Sequence, residues 1–161
     1  MKPVTVNDAD IQIGYLIFEV SKLIRRQFEE EAKAFGLTLQ QSRVIGFLHK
    51  HPSGQSQASI ACAIDSDPMT LSGILDRLEK RGVVERGPDP SDSRAKLAKL
   101  TDVGEELFVQ VRAVGEGIGR RLHERALSHL DQSQLDTLIN GLTVIRDELS
   151  ATSPDQKEET K

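Results

Sequence analysis

Apolar residues recur at helical spacing from close to the start of the chain: Ile13, Leu16, Ile17, Val20, Leu23, Ile24 and Phe28. Spacing of three and four residues marks one face of a helix. Asn7 or Asp8 can cap it by accepting hydrogen bonds from free backbone N–H groups, and Gly36 can end it. A helix over 8–35 would be roughly 40 Å long at about 1.5 Å per residue. A second helix starts at Thr38, whose partner Gln41 completes a capping box, and places Val44, Ile45, Phe47 and Leu48 on one face. The turn His51-Pro52-Ser53-Gly54 stops it. A short helix over about 56–64 turns Ile60, Ala61 and Ile64 inward. Asp67-Pro68 then opens another, with the cap before the proline and the proline at the first helical position; Met69, Leu71, Ile74, Leu75 and Leu78 run along it and Gly82 closes it.

The period changes after Gly82. Residues 83–86 read as a short strand and 94–100 as its return. GPDPSDS between them holds Gly, two Pro, two Asp and two Ser, which is turn chemistry. Thr101 caps a long helix containing Leu107, Val111, Val114, Ile118 and Leu122. Asp131 or Ser133 starts a last helix with Leu135, Leu138, Ile139, Leu142, Ile145 and Leu149. The polar tail 151–161 has too little apolar content to fold. Helix, helix, recognition helix, strand, basic turn, strand is the order of a winged helix-turn-helix, a device for holding duplex DNA. The expected fold is therefore mainly α with a small β-wing: a dimerisation helix over 1–35, the winged module over 36–101, and C-terminal dimerisation helices over 102–150. The end helices have too little chain around them to bury their apolar stripes, which a symmetric dimer would remedy.

Composition adjusts this picture. The chain has 161 residues, 37% hydrophobic and 29% charged, which fits a small module with attached helices. No apolar run is long enough to span a membrane. The N-terminus lacks a basic start followed by an apolar core, and the single cysteine, Cys62, cannot form an internal disulfide. A reducing cytoplasm is the expected compartment. The net charge of −4 argues against a DNA binder until it is divided: residues 67–101 hold seven Lys/Arg against six acids, +1, leaving −5 elsewhere. What attracts phosphate is the charge facing the groove.

Certain motifs go further. Leu37-Thr38-Leu39-Gln40-Gln41 followed by Arg43-Val44 resembles the start of the second helix in MarR-type transcriptional regulators. Leu75-Asp76-Arg77-Leu78-Glu79, then Gly82-Val83-Val84-Glu85-Arg86, resembles the family's recognition helix running into its wing. Asp89-Pro90, Asp92-x-Arg94 and Leu100-Thr101 with Gly104 are similar to the wing signature. The likeness runs from about residue 10 to 150. It implies a homodimer on a palindromic site in double-stranded DNA, with recognition helices in the major groove and wing tips in the minor groove. It places Met69, Thr70 and Ser72 near base edges or phosphates, Arg77 at phosphate or bracing the wing, Arg94 at the wing tip, and Asp92 behind Arg94 as a wing stabiliser. It also implies a repressor released by a small aromatic or anionic effector, bound in a crevice for which Phe18, Arg25, Arg43 and Phe47 are candidates. Gly73 stands where many relatives use a basic or amide side chain on DNA, and Ser42 where relatives often carry an aromatic near the effector.

Other chemistry finds little support. Cys62, between Ala61 and Ala63, reads as a small buried residue. His49 and His51 are two apart, not the three or four of a helical metal pair, so no metal and no cofactor is expected; His49 could line an effector pocket. Gly115, Gly117 and Gly119 follow no strand and so make no phosphate loop; a kink or a close helix contact suits them better. No Ser/His/Asp or Cys/His set suggests an enzyme. The competing reading is a winged-helix module that docks protein rather than DNA, favoured by the acidic balance and Gly73.

Overall fold

A computed structural model describes residues 7–89 and 96–151. Helix α1 spans Asp8–Ala32, α2 Leu39–His49, α3 Gln57–Ile64, α4 Pro68–Lys80, α5 Asp102–Leu122 and α6 Gln132–Ala151. Strands β1 (Gln55–Ser56), β2 (Val84–Pro88) and β3 (Lys96–Leu100) form one antiparallel sheet in the order β1-β3-β2. The register pairs Val84 with Leu100 and Pro88 with Lys96 in the wing, and Gln55 with Ala98 on the other side of β3. The chain divides into two compact units, Met1–Ile118 and Gly119–Lys161.

The helix ends follow from local chemistry. Asn7 and Asp10 make a reciprocal capping box on α1, and Thr38 and Gln41 make another on α2. Asp131 accepts from the Gln134 backbone at 2.9 Å ahead of α6. Helix α1 closes through a 3-10 turn over Lys33–Phe35 into Gly36 at φ 64°, with Gly36 N–H donating to Lys33 and Leu37 N–H to Ala32. The same paired closure ends α4 at Gly82; a left-handed residue there turns the last carbonyls onto the following N–H groups. Helix α3 closes the same way on Asp65, at φ 53°, the one non-glycine in that region among the described residues.

The core of the first unit is built by α2, α3, α4 and the sheet. Val44, Ile45, Leu48, Ile60, Ile64, Leu71, Leu75, Leu78, Val83 and Val84 are buried in it, with Phe28, Phe35, Phe47, Leu107, Phe108 and Val111 packed at its margin. Burial of each such aliphatic side chain stabilises by about 1.5–3 kcal/mol. The end helices differ. Only Ala32 of α1 is buried, and nothing on α6 is. Ile13, Leu16, Val20, Leu23 and Ile24 on α1, and Leu138, Ile139, Leu142 and Leu149 on α6, stand exposed.

Three expectations need correction or addition. Cys62 is exposed, not buried. The inward face of α3 is Ile60, Ala61 and Ile64, and at about 100° per residue Cys62 falls on the far side. The two-residue strand β1 carries too little sequence to show an alternation. Helix α5 is continuous through Gly115, Gly117 and Gly119, and beyond its own helix backbone a Cβ at Gly115 or Gly119 would meet nothing within 4 Å, so among the described residues neither makes a close helix contact.

Candidate nucleic-acid interface

Helix α4 is set by its two faces. Leu71, Ile74, Leu75 and Leu78 lie one turn apart and bury themselves in the core. Asp67 caps the helix, its carboxylate accepting from the Thr70 N–H at 2.9 Å. The Thr70 side chain and backbone donate to this carboxylate and hold Asp67 below its ordinary pKa. The opposite face carries no core residue. Met69 is 86% exposed, Thr70 and Arg77 are exposed, and Ser72 and Gly73 are half-buried.

The orientation of α4 is fixed from both sides. Arg86 on β2 shares the face of Val84 and reaches back to the helix. Its Nε donates to Glu79 at 3.0 Å, and its Nη2 donates to both Asp76 and Glu79. Hydrogen bonding from Arg86 pulls the Glu79 carboxyl below its usual range, and the two carboxylates raise Arg86 in turn. The guanidinium therefore engages both carboxylates and offsets one of their two negative charges on this side of the helix. Just past the C-terminal end of α4, Arg81 donates to the carbonyls of Gly36 at 2.8 Å and Phe35 at 3.0 Å. These carbonyls close the end of the first helix, where a cation also meets the negative end of the helix dipole.

The wing joins α5 at a tight corner. Thr101 N–H donates to the Val83 carbonyl at 3.1 Å, and its hydroxyl donates to the Gly82 and Val83 carbonyls. Gly104 N–H returns a bond to the Thr101 hydroxyl at 3.1 Å. A Cβ on Gly104 would overlap the Val83 carbonyl oxygen and crowd Leu100 at 3.1 Å. The Leu100-Thr101 and Gly104 motif is thus a corner that admits no side chain at its third member.

Of the residues expected to meet DNA, Met69, Thr70, Ser72 and Arg77 share α4. Asp92 and Arg94 lie outside the described residues. The effector candidates are spread out. Phe18 is 67% exposed on α1, Arg25 on the same helix pairs with Glu29 at 3.0 Å, Arg43 is exposed on α2, and Phe47 packs against the core and the His51 ring. Ser42 is buried, its hydroxyl donating to the Thr38 carbonyl at 3.1 Å. A separate open groove of about 620 Å³ runs between α2 and α5, lined by His49, Glu105, Phe108, Val109, Arg112 and Glu116 among others. None of the four candidates lines it. His49 stacks on Phe108 with ring centroids 3.6 Å apart and meets Glu105 at 2.7 Å.

Sequence reasoning missed Arg86, Arg81 and the partners of His49. Arg86 carried a signal: it alternates with exposed Glu85 and so falls on the helix-facing side of β2, opposite the i, i+3 acids Asp76 and Glu79. Arg81 and His49 pair across 45 and 56 positions, where no local pattern reports them.

Two packed helices, a third with an uncovered outer face, and a two-stranded ribbon leaning on it define a winged helix-turn-helix with helical extensions on both sides. The sequence model of the MarR family matches residues 37–96, the whole of that module up to the start of β3. Wild-type MarR of E. coli in its apo form is 27% identical, with 82% of this chain and 95% of that one covered at a TM-score of 0.70. CouR of Rhodococcus jostii RHA1, in a structure bound to p-coumaroyl-CoA, is 26% identical over 83% and 90% at 0.69. MepR of S. aureus in a DNA complex, 24% identical over 84% and 96% at 0.72, shares the fold. The winged module over residues 37–96 matches the MarR family, and the chain shares the fold of these transcriptional regulators. Among the described residues, no helix is long and apolar enough to cross a membrane.

Proposed function

We propose that this protein is a repressor that binds a palindromic operator as a homodimer, with α4 in the major groove and the wing tip in the minor groove. The observation that carries the reading is the outer face of α4: Met69, Thr70 and Arg77 are uncovered and Ser72 partly so, while Asp76 and Glu79 beside them are tied to Arg86. The hydroxyls can donate to or accept from base edges, and Met69 can touch a thymine methyl. Arg94 suits a narrow, electronegative minor groove, with Asp92 steadying the turn. The exposed apolar stripes on α1 and α6 support a second copy as partner; paired recognition helices must stand about 34–36 Å apart to meet successive turns of DNA.

The effector proposal rests on the family resemblance for Phe18 and Arg25 on α1 and Arg43 and Phe47 on α2, and on the separate α2–α5 groove. A small aromatic or anionic compound would find in that groove a stacked His49–Phe108 wall with Arg112 beside it. The CouR complex with p-coumaroyl-CoA supports an aromatic acyl compound as the class. A ligand favouring the wrong helix spacing would lower the DNA-competent population.

The test is a fluorescence-anisotropy titration on the intergenic DNA beside the gene. Wild type is expected to bind specifically with an affinity that falls steeply as salt rises, and Arg94→Ala to bind more weakly. Undiminished affinity in Arg94→Ala would refute the wing assignment. Binding that does not depend on DNA sequence would favour the protein-docking alternative.

A further inference from the structure

Helix α4 turns by about 100° per residue, so with Leu71, Ile74, Leu75 and Leu78 inward the outermost line is Met69, Gly73, Asp76 and Lys80. The centre of that line, Gly73, has no side chain. Asp76 on that line and Glu79 on one flank are held by Arg86. Thr70 and Arg77 lie on the other flank, and no described residue forms an ion pair with Arg77. Helical side chains slope toward the N-terminus and cover the preceding turn. Arg77 does so here: its Nη1 lies 3.8 Å from where a Cβ on Gly73 would sit. A glycine costs about 1 kcal/mol in a helix interior, and nothing else about position 73 accounts for one. It has no positive φ, and among the described residues that Arg77 nitrogen is the only atom within 4 Å of its missing Cβ apart from the helix's own backbone and the adjoining residues.

We infer that Arg77, laid back over the bare backbone of Gly73, is the base-reading guanidinium at the centre of this surface, and that Gly73 sets specificity by leaving it that space. The inference rests on the DNA-binding proposal above. An arginine so placed in a major groove makes a planar, bidentate pair with guanine O6 and N7. A lysine keeps the charge but not the fork. Position 73 therefore acts through the residue one turn later, with an empty site where a longer side chain would compete with Arg77.

The experiment is in vitro selection from a randomised duplex library with the full chain, comparing wild type, Arg77→Lys, Gly73→Ala and Gly73→Gln, with a melting temperature recorded for each. Wild type should select guanine at one fixed position in each half-site. Arg77→Lys should lose that preference by about 5- to 150-fold, the range for one bidentate base contact, while melting as wild type and keeping its salt slope. Gly73→Ala makes only an ordinary contact with Arg77 and should retain the preference; Gly73→Gln occupies the space and should change the selected base at that same position. Retained guanine selection by Arg77→Lys, or an unchanged selected sequence with Gly73→Gln, overturns the inference while leaving the DNA-binding proposal standing. Failure of wild type to select any sequence overturns both.

Discussion

Replacing Gly104 by alanine adds one methyl group at the corner where the wing meets α5. The added Cβ would overlap the Val83 carbonyl oxygen and lie 3.1 Å from both Cβ and Cδ2 of Leu100. The carbonyl is backbone at the entry to β2 and cannot swing aside like the end of a side chain. Either α5 moves outward or β2 does, and forced overpacking of this kind costs about 1–3 kcal/mol. Movement also stretches the Thr101 bonds to Val83, from N–H at 3.1 Å and from the hydroxyl at 3.2 Å, each worth about 0.5–1.5 kcal/mol. The better helix propensity of alanine returns up to about 1 kcal/mol. The net expectation is a loss near 3 kcal/mol, or about 6–12 °C in Tm for a chain of this size. Urea and thermal melts followed by circular dichroism, at one fixed protein concentration because self-association shifts apparent stability, read it directly. Thr101→Ala removes the hydroxyl bonds without the clash and keeps the backbone N–H bond, so the double variant should lose less than the two losses added. Gly104→Ala within about 0.5 kcal/mol of wild type, well under the overpacking range, would refute the close-approach reading.

Arg81→Met should destabilise by about 1 kcal/mol, less than a buried charged hydrogen bond because the pair is exposed, and hydrogen exchange should rise at Leu37 and Gly82. Asp65→Gly should stabilise by about 0.5–1 kcal/mol, since it relieves a left-handed non-glycine residue; a loss measured in the same urea melts would show that the aspartate side chain is itself needed. Asp67 and Glu79 have folded pKa values below their unfolded ones, so their stabilisation is full above the ordinary carboxylate range near about 4 and disappears as pH falls through the lowered values. Melting curves should accordingly show the difference between wild type and Asp67→Ala closing below about pH 4; a constant difference would contradict the assignment.

Most of the fold is legible in the sequence because its signals are local. Caps at Asn7, Thr38 and Asp67, glycines at 36 and 82, and the 71-74-75-78 stripe each determine an element within a few residues of themselves. What stays hidden depends on residues far apart. The two-residue strand β1 exists because β3 is there to pair with it. Arg81 is read only once the end of α1 lies beside it. The alanine neighbours of Cys62 suggest burial, whereas the spacing of Ile60, Ala61 and Ile64 points it outward, where it lies. The outer face of α4 is legible as a set of residues, but the space over Gly73 and its occupation by Arg77 depend on the direction in which that side chain lies, which spacing alone does not fix.

The claim that tests the rest most directly is that two chains joined through α1 and α6 grip one duplex. Sedimentation-velocity analysis of the full chain, alone and with a duplex carrying its selected operator, measures this. The account predicts a dimer without DNA and a complex of two chains per operator. A monomer at micromolar concentration, or a complex holding a single chain, would contradict it.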